Sequence, residues 1–245
     1  MSADEAGGLT PTGLDDALLL LREGTLELEG RLLDASNATL YCSIRHQDLE
    51  ASCVYKPQRG ERPLWDFPDG SLAEREVAAY EVSAATGWAI VPPTVLRDGP
   101  FGLGMVQLWI DIDESVDLAV LARSKHPDLR RMALYDAVIN NADRKGGHLL
   151  PTVEGHVYGV DHGVTFHSED KLRTLLWNWR GRRLTDDERA VLQQLQADTT
   201  LLNRLTELLT PTEVAAYDRR LDRLLTSGVF PHPSGDWPAI PWPPF

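Results

Sequence analysis

The spacing of hydrophobic and polar positions changes near residue 110. Before this point, short runs rich in strand-forming residues, such as ATLYCSIRH and ASCVYKP, are separated by segments rich in Gly, Pro or charge. After it, longer segments such as PDLRRMALYDAVIN and TPTEVAAYDRRLDRLLTSG have the composition and caps of helices. The pattern therefore predicts a β-rich half up to about residue 109 and a mostly helical half after it.

The β-rich half contains two pairs of predicted strands and two predicted helices. The segment LDDALLLLREG predicts a helix that Thr12 caps and Gly24 ends, and a hairpin follows between Thr25 and Pro57 with its turn at HQDLE. The segment SLAEREVAAYEVSAATG predicts a second helix, and two further strands lie on either side of a DGP turn. Two strands, a helix and two more strands indicate a small antiparallel sheet with one helix packed on it.

The second half is predicted to contain helices around one loop and one short hairpin. NADRKGGH cannot continue the helix before it because of its paired glycines, and two short strands surround the turn at Glu154 and Gly155. Three helices follow, the first and last with threonine caps. The predicted organisation is a disordered lead (1–12), an N-lobe (13–109), a helical C-lobe (110–230) and a proline- and aromatic-rich tail (231–245), which packs in extended form or stays free.

Composition narrows the classes of partner. The chain has 245 residues, of which 42% are hydrophobic, and its net charge is -13. This negative charge disfavours a nucleic-acid partner and stable association with an anionic membrane. The two cysteines, Cys42 and Cys53, are expected to be reduced thiols on neighbouring strands. The acidic start MSADEAGG lacks the apolar run of a signal peptide, so a cytoplasmic protein is expected.

Four residues suggest phosphoryl transfer by their order along the chain. Lys56 ends a predicted strand, Glu76 lies in the following helix, Asp143 follows a helix, and Asp161 follows a strand. This chemistry needs a lysine on the nucleotide phosphates, a glutamate that holds the lysine, an aspartate at the acceptor and an aspartate on the metal. Each residue alone also fits an ordinary surface or turn position, so the hypothesis depends on their joint occurrence.

Five motifs extend this reasoning to a family. ASNATLYCS, VYKP, REVAAY, NADRKGGH and GVDHGVTF resemble the phosphatidylinositol 3- and 4-kinase-like superfamily, which includes distant HipA-type toxin kinases, and most closely an uncharacterised bacterial family of that kind. The resemblance spans about residues 30 to 170. It implies an α+β, two-lobed protein-kinase-like fold with a small antiparallel sheet and one helix in the N-lobe and a mostly helical C-lobe.

The resemblance also assigns nucleotide-binding residues in the first half. It implies that Lys56 binds the phosphates of ATP and that Glu76 is its helix partner, with Glu74 as the competing candidate on another face of the helix. Two further matches are a turn that would cover the phosphates and a connector between the lobes whose backbone would bind adenine. The turn contains Ser36, Asn37 and Thr39, and the connector contains Gln107, Leu108, Trp109 and Ile110.

In the second half, the resemblance implies that Asp143 is the catalytic aspartate and that Asp161 binds the metal, Mg²⁺ or Mn²⁺. The sequence departs from the family where an asparagine usually helps to bind this metal, because His148 occupies the position. A neutral imidazole can bind a divalent ion and suits softer ions than Mg²⁺. His148 is therefore a candidate metal ligand, with simple loop packing as the alternative.

The resulting hypothesis is an ATP-dependent phosphotransferase that acts on a protein or a small polar molecule. A lipid acceptor is disfavoured because the chain is acidic and lacks an apolar membrane-facing helix. Two alternatives keep the fold, namely a nucleotide-binding pseudokinase, motivated by His148, and an enzyme that transfers AMP.

Overall fold

The computed structural model describes residues 13–32 and 38–245. The predicted lead, the predicted cap at Thr12, and Ser36 and Asn37 of the phosphate-covering turn lie outside the described residues. The chain divides into two compact units. We call them the sheet lobe, which comprises the described residues up to 73 and residues 93–109, and the helical lobe, which comprises residues 74–92 and 110–245.

The sheet lobe is built on one antiparallel sheet of five strands in the order β1-β2-β3-β5-β4. The predicted hairpin is confirmed, and its turn is tight because Gln47 adopts a left-handed conformation with φ of 53°. The second strand pair is confirmed as well. The sheet has one strand more than the two predicted pairs, since β1 adds to the edge. The strands are β1 (Thr25–Arg31), β2 (Leu40–His46), β3 (Leu49–Pro57), β4 (Thr94–Gly99) and β5 (Gly102–Leu108).

The helix α1 (Leu14–Glu23) packs on one face of this sheet. Leu20 and Leu21 are fully buried against sheet residues that include Ile44 and Tyr55. Side chains alternate along a strand, so Lys56 lies on the opposite face from Tyr55. The helix on the sheet is therefore the first one along the chain, whereas most of the second helix groups with the helical lobe.

The helical lobe contains six helices and a short hairpin among the described residues. The helices are α2 (Leu72–Thr86, from Glu74 onward), α3 (Leu118–Arg123), α4 (Pro127–Ile139), α5 (Asp186–Ala197), α6 (Thr199–Leu208) and α7 (Pro211–Ser227). The hairpin pairs β6 (Leu149–Pro151) with β7 (Val157–Gly159). Thr185 and Thr210 form the predicted caps of α5 and α7, each as a reciprocal capping box.

Buried polar contacts hold α2 within the helical lobe. Arg75, of which 1% is exposed, donates to the Thr165 carbonyl over 2.8 Å and to the Glu213 carboxylate over 2.5 Å. The Tyr135 hydroxyl donates to the Ala79 carbonyl over 2.6 Å. A buried guanidinium must be paired to offset its desolvation, so these contacts fix the rotation of α2 about its axis. In the described part of the chain, no helix has the length and apolar character to cross a membrane.

Candidate active site

The segment that carries Asp143 is positioned by the end of α4. The helix ends at Asn140, whose left-handed conformation (φ 55°) turns the chain away from the helix axis. The Asn141 side-chain amide donates to Asp136 over 3.0 Å, and its oxygen accepts from the Asp143 backbone N–H over 2.9 Å. We call residues 142–148 the catalytic-loop segment, and Asn141 fixes where it begins.

A buried ion pair connects this segment to the second aspartate motif. The Arg144 guanidinium and the Asp136 carboxylate are both fully buried, and their closest atoms are 2.9 Å apart. Arg144 also donates to the Val160 carbonyl over 3.1 Å and contacts His162 Nε2 over 2.6 Å. Because a guanidinium can only donate, His162 accepts at Nε2 and is the neutral tautomer protonated at Nδ1.

His162 also connects this network to α2. Its backbone N–H donates to the Glu76 carboxylate over 2.8 Å, and Glu76 is only 2% exposed. The imidazole ring packs edge-on against Tyr135. The His162 side chain is thus held in a buried polar contact. Glu76, the preferred glutamate of the sequence analysis, contacts the segment that carries Asp161.

The candidate catalytic and metal-binding side chains lie together at the surface of the helical lobe. Lys145 Nζ is 2.9 Å from Asp143 Oδ2, and these side chains are 26% and 28% exposed. His148 Nε2 is 3.3 Å from Asp161 Oδ2, and the Asp161 side chain is 46% exposed. Both carboxylates therefore remain accessible to a substrate. Asp161 follows β7 with φ of 63°, a conformation that Asp tolerates better than most residues and that sets the direction of its side chain.

His148 is suited to act as a neutral ligand. Burial lowers the pKa of its imidazole, and the nearby Asp161 carboxylate only partly offsets this effect. Its Nδ1 atom is buried and makes no hydrogen bond to any described residue. The ring is thus neutral near pH 7 and directs Nε2 at the Asp161 carboxylate.

The donor atoms fit a divalent cation that also binds phosphate. Among the described residues, no group of three or more His, Cys, Asp or Glu side chains is arranged to hold a metal alone. His148 Nε2 and Asp161 Oδ2 are separated by 3.3 Å. Adjacent ligands at 2.0–2.1 Å from an octahedral ion lie about 3 Å apart, and such ions usually take their remaining ligands from phosphates and water.

Most of the residues predicted to bind the nucleotide lie in the sheet lobe. Lys56 lies on β3 beside Met105 of β5, and Thr39 is 5% exposed just before β2. The backbone N–H groups of Leu108 and Trp109 donate to the Pro93 and Ser52 carbonyls over 2.9 and 3.0 Å. These two N–H groups are therefore already paired, and the contact of residues 107–110 with adenine stays a prediction.

Sequence reasoning missed several residues of the site, among them Lys145 and Asp136. Lys145 follows Asp143 by two positions and forms an ion pair with it, and its place in the same motif was a signal that could have identified it. Asp136 lies within a helix and is fully buried, which is unusual for a carboxylate unless it is paired. Its role depends on Arg144, eight residues later, and no local pattern indicates that pairing.

The fold is similar to those of atypical kinases. A crystal structure of the Golgi casein kinase with Mn/ADP bound superposes with a TM-score of 0.59 at 15% identity, over 87% of this chain and 75% of that one. A crystal structure of the Helicobacter pylori proinflammatory kinase CtkA superposes with a TM-score of 0.53 at 12% identity, over 86% and 94% of the two chains. The α+β, two-lobed protein-kinase-like fold is therefore confirmed.

Similarity in sequence gives the family. No protein-family model matches the chain. Protein Rv2133c of Mycobacterium tuberculosis is 42% identical over an alignment of 278 positions, gaps included, that covers 97% of this chain and 99% of that protein. Identity of this extent over nearly the whole of both chains shows common descent, and the chain belongs to the same family as Protein Rv2133c.

Proposed function

We propose that this protein is an ATP-dependent phosphotransferase whose acceptor is a protein or a small polar molecule. One observation carries the proposal. On a kinase-like fold, two accessible aspartates, Asp143 and Asp161, lie on segments joined by the buried contacts of Arg144. Phosphoryl transfer depends mainly on positioning and on stabilisation of charge, so it needs such a rigid pair of carboxylates.

Asp143 is proposed to orient the acceptor hydroxyl and accept its proton. Lys145 pairs with the Asp143 carboxylate over 2.9 Å. Lys145 is one-quarter exposed, so its ammonium can also contact an incoming phosphate. This pairing holds the carboxylate in place until the acceptor arrives.

Asp161 and His148 are proposed to bind the divalent ion. When bound, Mg²⁺ or Mn²⁺ neutralises the charge that develops on the phosphates during transfer. An imidazole ligand favours Mn²⁺ more than the usual asparagine oxygen would. The Mn and ADP bound to the structurally similar Golgi casein kinase support the choice of nucleotide and ion.

Glu76 and Lys56 keep the roles implied by the resemblance to phosphatidylinositol 3- and 4-kinase-like proteins. The hydrogen bond from His162 fixes the Glu76 carboxylate relative to the segment that carries Asp161. Lys56 is proposed to bind nucleotide phosphate. The net charge of -13 favours a protein or small-molecule acceptor over one in an anionic membrane.

The test uses purified protein with labelled ATP, Mg²⁺ or Mn²⁺, and candidate acceptors. Asp143→Asn preserves the size of the side chain and removes its charge, so transfer should fall by about 10²-fold or more if Asp143 acts as the base. Asp218→Asn, which changes an exposed aspartate of α7, is the matched control and should leave the rate unchanged.

Each alternative has a distinct outcome in this assay. Nucleotide-dependent thermal stabilisation without transfer to any acceptor identifies a pseudokinase. A product whose mass increases by AMP identifies nucleotidyl transfer. Full activity in Asp143→Asn refutes the role given to Asp143, whichever group is transferred.

A further inference from the structure

The proline- and aromatic-rich tail packs against the helical lobe and bends several times as it does so. Its first contact with the candidate site is made through Lys171, whose ammonium lies 4.7 Å from the centre of the Trp237 ring. The Lys171 side chain is 3% exposed, and the Lys171 backbone N–H donates to the Asn140 side chain over 2.9 Å. This contact thus connects the tail to the residue that ends α4.

A second contact reaches Arg144 through the strand-like segment 173–175. The Ala239 carbonyl accepts from the Thr174 backbone N–H over 3.1 Å and from Trp177 Nε1 over 2.9 Å. The Arg144 backbone pairs with both neighbours of Thr174, and the Thr174 hydroxyl donates to Asp136 over 3.3 Å. The tail therefore supports the segment that holds the Arg144–Asp136 pair.

The third contact is made directly to the catalytic-loop segment. The Pro244 carbonyl accepts from the Gly146 backbone N–H over 2.7 Å. The Phe245 ring lies so close to Gly146 that a β-carbon at this position would overlap the ring. Gly146 is three residues after Asp143 and two before His148, so the tail fixes the backbone between the two candidate functional residues.

The tail does not cover the carboxylates that it approaches. With the tail in place, the side chains of Asp143 and Asp161 are still 28% and 46% exposed. A segment that occupied the acceptor position would be expected to bury Asp143. The contacts instead lie on the backbone of the loop and on the residues that support it. The geometry therefore favours support of the loop over its inhibition.

From these contacts we infer that residues 237–245 are a positioning element of the active site, which holds the catalytic-loop segment in its reactive conformation. This inference rests on the proposed phosphotransferase function. It assigns Trp237 and Phe245 as positioning residues, because the contacts described above join them to Lys171 and Gly146. Loss of the tail contacts should slow transfer without weakening the binding of nucleotide.

The experiment compares the full chain with Trp237→Ala/Phe245→Ala. A displacement of about 1 Å at a catalytic group can cost 10²-fold in rate, so kcat should fall by about tenfold or more while KM for ATP changes little. Hydrogen exchange at the Gly146 amide should accelerate. Trp242→Ala removes a ring of the same tail that is 85% exposed, and it should change neither measurement.

A chain truncated after residue 235 provides a second test. Adding a peptide of residues 236–245 should restore activity and slow exchange at Gly146. A higher kcat after truncation would show an inhibitory tail and overturn the inference, as would an unchanged kcat in a folded double variant. An inactive full chain would refute the proposed function, and rapid exchange at Gly146 in that full chain would separately refute support by the tail.

Discussion

Replacing Arg144 by methionine should destabilise the protein strongly, because it isolates a buried charge. Methionine retains much of the side-chain volume but leaves the fully buried Asp136 carboxylate without its guanidinium partner. It also removes the donors to the Val160 carbonyl and to His162. Breaking a buried ion pair in this way costs about 3–5 kcal/mol. A chain of 245 residues loses about 2–4 °C of Tm per kcal/mol, so the expected decrease is about 6–20 °C.

The magnitude is measured by thermal and urea unfolding, with two variants for comparison. Arg45→Met breaks the Arg45–Glu50 pair, whose side chains are 64% and 32% exposed, and should cost at most about 1 kcal/mol. In the double variant Asp136→Asn/Arg144→Met neither side chain of this pair carries a charge, and the asparagine oxygen still accepts hydrogen bonds. The double variant should therefore be less destabilised than the sum of its single changes.

The result that would refute this reasoning is specific. If Arg144→Met lowered Tm no more than Arg45→Met, the Asp136 carboxylate could not be buried and dependent on Arg144. If the effects of Asp136→Asn and Arg144→Met were additive, the two side chains would not be coupled. Either outcome would also remove the rigid connection between the two aspartate motifs on which the proposed function depends.

Two further predictions concern pH and capping. Burial lowers the pKa of His148 below its usual 6.5, so between the lowered pKa and 6.5 the unfolded chain binds more protons than the folded protein, and acidification destabilises the fold. Without metal, the Tm of His148→Asn should therefore fall less than that of the unaltered protein between about pH 7.5 and about pH 5.5. An equal fall in Tm would contradict the lowered pKa of His148. Thr185→Ala removes the hydroxyl that caps α5 and should lower the free energy of unfolding in urea by about 1 kcal/mol. Thr206→Ala, within α6, is the control and should change this free energy little. Equal losses of stability in the two variants would refute the capping role of Thr185.

Features with a local physical cause could be predicted from the sequence. The caps at Thr185 and Thr210 were correct because a threonine three residues before a glutamate determines that geometry by itself. The hairpins were correct because strand formers lie on either side of short polar turns. The assignment of α2 to the helical lobe could not be predicted, since it depends on contacts such as that between Arg75 and Glu213, 138 residues later.

The candidate site was predicted only in part for the same reason. Local motifs indicated Asp143, His148 and Asp161, and the structure brings His148 and Asp161 within 3.3 Å of each other. The contact from His162 to Glu76 uses a backbone N–H, and two tail contacts use the carbonyls of Ala239 and Pro244. Backbone groups are common to nearly every residue, so the sequence contains no sign of which ones will pair. The phosphate-covering role of Ser36 and Asn37 stays a prediction.

The left-handed backbone of Asp161 limits how this position can be altered. Its φ of 63° is a conformation in which Asp and Asn are favoured over residues with other side chains. An alanine there would combine the loss of the carboxylate with about 1 kcal/mol of backbone strain. Asn has a similar shape and the same tolerance, so Asp161→Asn changes the charge and little else. Under the proposed function, it is the substitution that can yield an inactive but well-folded protein.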